Sequence, residues 1–166
     1  MKCGADPDVT NYSGHSSLFC AAREGDLEIV RALVVDGKVK VDHYGLSSVK
    51  NDDLDDDGID DEYEKALFEG LKCSKTALHV ACLLGYDDIV QILVENNSNP
   101  NVEGEQGYNA LHFALLGRKP EIAEYLLINT KVRHNHKDKH NKSCQEMAFE
   151  KFPEYKDDFE KLIAAH

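Results

Sequence analysis

Residues 75–94 read KTALHVACLLGYDDIVQILV, and residues 108–127 read YNALHFALLGRKPEIAEYLL. Residues 15–34, HSSLFCAAREGDLEIVRALV, align with the first of these stretches at a spacing of 60. Self-similarity at a fixed period indicates a repeat architecture. The pairs that recur 33 positions apart are Leu78/Leu111, His79/His112, Ala81/Ala114, Ile89/Ile122 and Leu93/Leu126.

An insertion and a weaker copy account for the rest of the chain. Because the first two copies align at a spacing of 60 instead of 33, an insertion lies between them. A weaker copy at residues 138–152 places Ala148 at a spacing of 34 from Ala114, with Ser143 at the position of Thr76. The pattern therefore predicts four helical units, with one insertion after the first.

Short motifs within the copies indicate the type of repeat. TALH at 76–79 and NALH at 109–112 resemble the Thr-Pro-Leu-His box of ankyrin repeats. GADPD at 4–8 and NSNPN at 97–101 resemble the Gly-Ala-Asp-x-Asn turn of that family. The chain thus resembles the ankyrin-repeat family over nearly its full length. The resemblance implies an all-α fold, an ankyrin-repeat solenoid of stacked helix-turn-helix units with β-hairpin fingers and one acidic loop insertion.

We expect a single ankyrin-repeat domain over residues 1–166. Repeat one is apolar for an outer unit, which favours either further ankyrin repeats upstream in a longer parent chain or a partner that covers it. A self-contained small protein is the third alternative. The predicted parts are a partial finger at 1–10, repeats at about 11–42, 71–103, 104–137 and 138–166, and an acidic insertion at 43–70.

Several residues fit the ends of the predicted helices. The Thr76 hydroxyl is expected to cap the first helix of repeat two, and Gly85 is expected to end it in a left-handed conformation. Pro120 suits a first helical position, where its missing N–H is not needed. Arg118 stands where repeat two has Gly85, so we expect that helix end to differ.

The same resemblance argues against catalysis. It implies that His79 and His112 bond neighbouring backbone and are structural. Cys20 and Cys82 fall on predicted core faces, where a thiol is usually inert. The sequence contains no glycine-rich phosphate loop, nucleophile elbow or HExxH motif. We therefore expect a protein that is not an enzyme.

What the resemblance implies about function is binding of a partner protein through the concave face of fingers and first helices. Three apolar residues at its surface positions, Leu83, Leu84 and Leu116, indicate either an exposed apolar patch or positions that neighbouring structure covers. The full set of positions carried over is Tyr12, His15, Arg23 and Glu24 in repeat one, Lys72, Lys75, Leu83 and Leu84 in repeat two, Glu105, Gln106, Tyr108 and Leu116 in repeat three, and Lys139, His140 and Lys142 in repeat four.

The insertion carries most of the charge. Residues 43–70 hold ten acidic and two basic residues, which accounts for −8 of the net charge of −12. Residues 53–64, DLDDDGIDDEYE, match the EF-hand spacing D-x-D-x-D-G-x5-E and resemble thrombospondin type 3-like calcium loops. The alternative is a solvated acidic loop, because Asp60 stands where an EF-hand has an apolar residue. The predicted calcium ligands are Asp53, Asp55, Asp57, Asp61 and Glu64. No other cofactor is expected.

Residues 131–142, KVRHNHKDKHNK, form a basic finger with five Lys or Arg residues and one Asp. Three interpretations stay open. His134, His136 and His140 could bind a transition metal, or the finger could hold an acidic partner or the acidic insertion itself. The third interpretation is an ordinary exposed hairpin tip.

Charge and hydropathy exclude several classes of protein. Thirty-one acidic residues against 19 basic ones argue against nucleic-acid binding, and the longest apolar runs are too short to span a membrane. Five cysteines without a Cys-x-x-Cys pair favour a reducing compartment, so we expect a cytoplasmic location, with the nucleus as the alternative. Besides a general interaction module, two further functions are a calcium-responsive binding module and an ankyrin-only inhibitor or adaptor resembling the inhibitor-of-NF-kappa-B type.

Overall fold

The computed structural model describes residues 8–11, 14–37, 39–43, 71, 74, 76–151, 153 and 156–165. It gives the bounds of eight α-helices, and a π-helical turn at Ala32–Asp36 continues the second. None of the described helices is long and apolar enough to cross a lipid bilayer. The helices are α1 at Ser17–Glu24, α2 at Leu27–Arg31, α3 at Ala77–Leu84, α4 at Asp87–Glu95, α5 at Ala110–Leu116, α6 at Pro120–Asn129, α7 at Cys144–Lys151 and α8 at Lys156–Ala164.

The helices form four consecutive pairs, in which α1 packs on α2, α3 on α4, α5 on α6 and α7 on α8. The first helices of successive pairs stack as well, with α1 on α3, α3 on α5 and α5 on α7. Among the second helices, α2 contacts α4 and α6 contacts α8. This arrangement confirms the predicted all-α repeat solenoid.

The recurring apolar residues form the core between these helices. Leu78 and Leu111, at equivalent positions of α3 and α5, are each 1% exposed. Ala81 and Ala114 are fully buried, and such small side chains let the stacked helices approach closely. Ile89 on α4 is also buried, as its spacing predicts. The repeat pattern in the sequence therefore identifies the core correctly.

Each first helix begins at a side-chain cap in the same position of its repeat. The Thr76 hydroxyl accepts a hydrogen bond from the backbone N–H of His79 at 3.3 Å, which confirms the predicted cap. Ser16 and Asn109, which align with Thr76 in the first and third repeats, cap α1 and α5 in the same way. Ser143 caps α7, because its hydroxyl accepts from the N–H of Glu146 at 3.2 Å.

The end of the first helix differs in repeat three, as the sequence predicts. In repeats one and two the residue after the helix, Gly25 or Gly85, is left-handed, with φ values of 75° and 87°. In repeat three α5 ends one aligned position earlier, at Leu116, and Gly117 after it has φ −73°. The left-handed residue is Arg118, at the position aligned with Gly85, with φ 53°. Gly117 is required for another reason: a Cβ atom there would overlap the backbone oxygen of Leu83.

The fingers between the helix pairs are tight turns rather than strands in the described residues. Gly14, Gly107 and Asn141 occupy equivalent positions, with φ values of 74°, 77° and 63°. Asn141 thus adopts the left-handed conformation that the sequence predicts. Isolated antiparallel bridges, Thr10 with Ser16 and Lys137 with Ser143, close two of these fingers.

Candidate partner-binding surface

A row of carboxylate and amide side chains fixes neighbouring fingers to one another. Asp8 accepts the backbone N–H of Lys40 at 3.0 Å, and Asp42 accepts the backbone N–H of Asn99 at 3.0 Å. The Asn101 side chain likewise accepts the backbone N–H of Arg133, in the following finger, at 2.7 Å. Each bond joins a finger to the next one along the stack. Asp42 directly precedes the acidic insertion at 43–70, so its bond joins the finger before the insertion to the finger that follows repeat two.

The basic finger is organised around Asp138, which is 7% exposed. Its carboxylate accepts the backbone N–H groups of His140 at 2.8 Å and Lys142 at 2.9 Å. The N–H of Lys139 donates to the backbone oxygen of Gln106 at 2.9 Å, which attaches this finger to that of repeat three. The exposed side chains of the finger therefore extend from a fixed backbone.

Aromatic rings and imidazoles stack beneath the fingers. The ring centroids of His79 and Phe113 are 4.5 Å apart, and those of Tyr108 and His112 are 5.3 Å apart. His136 lies edge-on to His112, with centroids 5.9 Å apart. These contacts hold the half-buried Tyr108 in place at the edge of the surface.

The box histidines are structural, as the family resemblance implies. His79 Nε2 is 3.1 Å from the backbone oxygen of Val102. His112 Nδ1 accepts the backbone N–H of Asn109 at 3.3 Å, which completes a reciprocal cap at the start of α5. Both imidazoles are fully buried.

A buried Cys-His-Asn cluster at the base of the basic finger was missed in the sequence. Cys144 Sγ lies 3.1 Å from His112 Nδ1 and 3.4 Å from Asn109 Oδ1. Burial raises the pKa of the Cys144 thiol, and burial followed by the nearby His136 lowers the pKa of His112 to about 4. Both groups are therefore neutral at pH 7, whereas a nucleophilic cysteine needs the thiolate. The cluster joins repeats three and four.

The candidate contact residues differ in how far they are exposed. Arg23 and Glu24 form an ion pair at 3.2 Å at the end of α1. The half-buried His15 stacks on Phe19, with centroids 4.4 Å apart. The exposed residues are Arg23, Glu24, Lys139, His140 and Lys142, and the half-buried ones are His15, Leu84, Glu105, Gln106, Tyr108 and Leu116.

Leu83 was predicted as a partner-binding residue at the surface, and this prediction is wrong. It is fully buried, because the end of α5 at Gly117 lies directly against the backbone of this turn. Leu116 is half-buried and packs against the core, and Leu84 is half-buried. Leu83 and Leu116 therefore belong largely to the stack. Cys20, which we expected in the core, is half-buried.

The histidines of the basic finger do not converge on a metal site. In the part of the chain that the structure describes, no group of three or more His, Cys, Asp or Glu residues could hold a metal ion. His136 Nε2 instead lies 2.9 Å from the backbone oxygen of Gly107 and 3.5 Å from Glu103. The described residues therefore give no support to the transition-metal interpretation of His134, His136 and His140, which stays a prediction.

Two groups of predicted residues lie outside the described residues, and their roles stay predictions. The first group consists of the partner contacts Tyr12, Lys72 and Lys75. The second consists of the calcium ligands Asp53, Asp55, Asp57, Asp61 and Glu64.

Stacked helix pairs with a row of joined fingers define a solenoid of the interaction-module class. Residues 58–138 match the family model for ankyrin repeats in three copies, and residues 13–44 match the model for a single ankyrin repeat. The chain belongs to the ankyrin-repeat family.

The chain is similar in sequence to proteins of Drosophila melanogaster, Fowlpox virus and Lachancea kluyveri. The chain is 29% identical over 135 residues to the NF-kappa-B inhibitor cactus of Drosophila melanogaster, a match that covers 76% of this chain and 26% of cactus. It is 30% identical over 124 residues to the putative ankyrin repeat protein FPV014 of Fowlpox virus, a match that covers 74% of this chain and 22% of FPV014. It is 27% identical over 132 residues to palmitoyltransferase AKR1 of Lachancea kluyveri, a match that covers 74% of this chain and 17% of AKR1. The chain thus spans about a quarter or less of these relatives.

Proposed function

We propose that this chain is a protein-interaction module that binds a partner protein through the concave face of its fingers and first helices, without catalysing a reaction. The observation that carries this proposal is the row of bonds from Asp8, Asp42 and Asn101, which joins successive fingers. A surface preorganised in this way loses little conformational entropy when it binds a partner.

The composition of this face also supports protein binding. Exposed Arg23 lies at the end of α1, and exposed Lys139 lies on the basic finger. Tyr108 is half-buried, and its ring contacts the rings of His112 and Phe113. Tyr and Arg are the residue types that most often dominate the binding energy of interfaces.

Site-specific photo-crosslinking tests which face is used. A photoreactive residue at Lys139 is compared with one at Glu124, which is exposed on the second helix α6. We expect Lys139 to capture a defined protein from an extract of the source cells, whereas Glu124 does not. Capture of the same protein at both positions, or at Glu124 alone, would contradict the assignment of the concave face.

The similarity to cactus favours a narrower function, an ankyrin-only inhibitor that binds a transcription factor of the NF-kappa-B type. The name of cactus describes that protein, and its transfer to this chain is part of the proposal. Calorimetry with a purified NF-kappa-B dimer provides the test. We expect a dissociation constant in the range of about 1 μM or below, which corresponds to about −8 kcal/mol. No heat of binding at 100-fold higher concentration would reject the narrower function and leave the interaction module standing.

A further inference from the structure

The basic finger at 131–142 is a cluster of like charge in a chain that is otherwise acidic. Its net charge is +4 in a chain of −12, so the rest of the chain carries −16. All five of its Lys and Arg side chains are exposed. Lys142 forms an ion pair with Glu150. The other four form no ion pair in the part of the chain that the structure describes: Lys131, Arg133, Lys137 and Lys139.

The fold holds these cations together on a fixed backbone. The Asn101 side chain accepts the backbone N–H of Arg133 at 2.7 Å and donates to the backbone oxygen of Lys131 at 2.8 Å. Asp138, the acidic residue of the finger, is 7% exposed and accepts backbone N–H groups, so its carboxylate is not presented at the surface. Like charges held close together repel one another, which is a cost that binding of an anionic group removes.

A cleft separates the basic finger from the finger of repeat three. It has a volume of about 350 Å³, and the basic finger contributes Lys137 and Lys139 to its lining. The finger of repeat three contributes Glu103 and Glu105. Glu103 also lies 3.5 Å from His136 Nε2. The cleft therefore has lysines from one finger and carboxylates from the other.

This pattern of charge favours a short acidic segment over a long polyanion. A nucleic acid carries phosphates along its whole length, so it would place some of them beside Glu103 and Glu105 and beside the acidic rest of the chain. A short segment places its carboxylates beside the lysines alone. Repulsion from more distant charges is then screened by salt over about 8–10 Å.

We propose that the basic finger recognises a short acidic segment of the partner protein that binds the concave face. The proposal rests on the proposed function and names the chemistry of the partner at one end of that face. Lys139 is continuous with the face, because its backbone N–H donates to the oxygen of Gln106 on the neighbouring finger. Exposed charge pairs add little affinity each, so the finger chiefly selects the partner and sets its orientation.

A pair of labelled peptides tests this recognition on the whole chain. The probe is a fluorescein-labelled peptide with consecutive glutamates between neutral residues, and the matched control peptide has glutamines in their place. We expect fluorescence anisotropy at low salt to show about tenfold tighter binding of the glutamate peptide, with a difference that shrinks as salt is added. Equal binding of the two peptides, or no binding of the glutamate peptide, would overturn the proposal.

Two charge-matched variants locate the site of binding. Lys137→Gln/Lys139→Gln should weaken binding of the glutamate peptide by about tenfold, whereas Arg31→Gln/Lys156→Gln, on α2 and α8, should change it by less than about twofold. The first variant should keep the melting temperature of the wild type, because both lysines are exposed and form no ion pair within the described ranges. Equal weakening by the two variants would mean that the peptide responds only to total charge, which would overturn the proposal.

Other occupants of the basic finger have distinct outcomes. A DNA duplex that binds more tightly than the glutamate peptide, and does so through Lys137 and Lys139, would assign the finger to phosphate. The variant Asp53→Asn/Asp55→Asn/Asp57→Asn removes charge from the insertion at 43–70. If it bound the glutamate peptide about tenfold more tightly than the wild type, the occupant would be the insertion, since a tethered segment competes at high effective concentration. Either result would overturn our choice of occupant, and we expect neither.

The proposed function and the role of the basic finger fail in different ways. The protein captured at Lys139 is measured against Arg23→Glu and against Lys137→Gln/Lys139→Gln, and we expect both variants to bind it more weakly. Weaker binding to Arg23→Glu alone would keep the concave face as the binding surface and overturn the role of the basic finger. Unchanged affinity for both variants would contradict the proposed function and this proposal together, even if the glutamate peptide still binds.

Discussion

Acidification should destabilise this protein through the buried His112. Burial lowers the pKa of its imidazole to about 4, with a further contribution from His136, while Asp138 and a hydrogen bond to the Lys142 backbone act in the opposite direction. In the unfolded chain the pKa of histidine is about 6.5. Between these two values the unfolded chain binds more protons than the folded one. Stability is therefore full above about pH 6.5 and is lost as the pH falls toward 4.

The magnitude follows from the two pKa values. A tenfold difference in proton affinity is worth about 1.4 kcal/mol, so protonation of His112 costs about 3 kcal/mol in total, of which about 2 kcal/mol is lost by pH 5. For a chain of this size, that loss lowers the melting temperature by roughly 4–8 °C. The Cys144 thiol and the Asn109 side chain, both in contact with the imidazole, stay neutral in this range and cannot offset the loss.

Urea unfolding between pH 7 and pH 5 measures this effect, and His112→Gln provides the non-titrating comparison. We expect the variant to be less stable than the wild type at pH 7. Its free energy of unfolding should fall by about 2 kcal/mol less than that of the wild type between pH 7 and pH 5. Imidazole NMR signals give the pKa of His112 directly. An NMR pKa near 6.5, or identical pH dependence in the two proteins, would refute the assignment.

Two further predictions concern the contact between α3 and α5. Gly117→Ala should lower the free energy of unfolding in urea by about 3 kcal/mol, because its Cβ would overlap the Leu83 backbone oxygen. Gly107→Ala should lower it by about 1 kcal/mol because of its positive φ, since its Cβ would lie 3.4 Å from the nearest atom, the Lys139 backbone nitrogen. Equal losses would mean that the close approach is relieved at little cost. Leu83→Ala should cost about 3 kcal/mol and Leu84→Ala about 1 kcal/mol, because the first side chain is fully buried and the second half-buried. A larger loss for Leu84→Ala would place the core on the other side of α3.

Periodicity was sufficient to predict the stack, because the features that form it recur in every repeat. The caps at Thr76 and Asn109 and the left-handed Gly85 each depend on a single local residue type. Asn141 tolerates the conformation that glycine has in the other fingers, so the alignment predicted it as well. Such local rules transfer from one repeat to the next.

Contacts between repeats were harder to predict from the sequence. The burial of Leu83 depends on how closely α5 approaches, which is set by Gly117, and Gly117 is not at the aligned glycine position. The contact between Cys144 and His112 joins residues 32 positions apart. Cys144 stands where repeats two and three have alanine, so this substitution was the available signal. A sequence alignment gives the positions but not which side chains meet across the interface.

The sequence predicted which surface positions are exposed, but not which surface side chains form hydrogen bonds between fingers. Arg23 and Lys139 are exposed, as the repeat pattern requires of surface positions. The bonds from Asp8, Asp42 and Asn101 were not predicted, although these residues occupy equivalent finger positions and all have a short side chain that accepts hydrogen bonds. Recognising that shared chemistry would have identified them.

The affinity of the captured partner for two charge-matched variants tests the central claim most directly. Arg23→Glu/Lys139→Glu changes the concave face, and Arg31→Glu/Lys156→Glu makes the same change in charge on the second helices α2 and α8. Calorimetry should show binding at least about tenfold weaker for the first variant, equivalent to about 1.4 kcal/mol, and nearly unchanged for the second. Equal effects of the two variants, or a loss confined to the second, would contradict binding through the concave face.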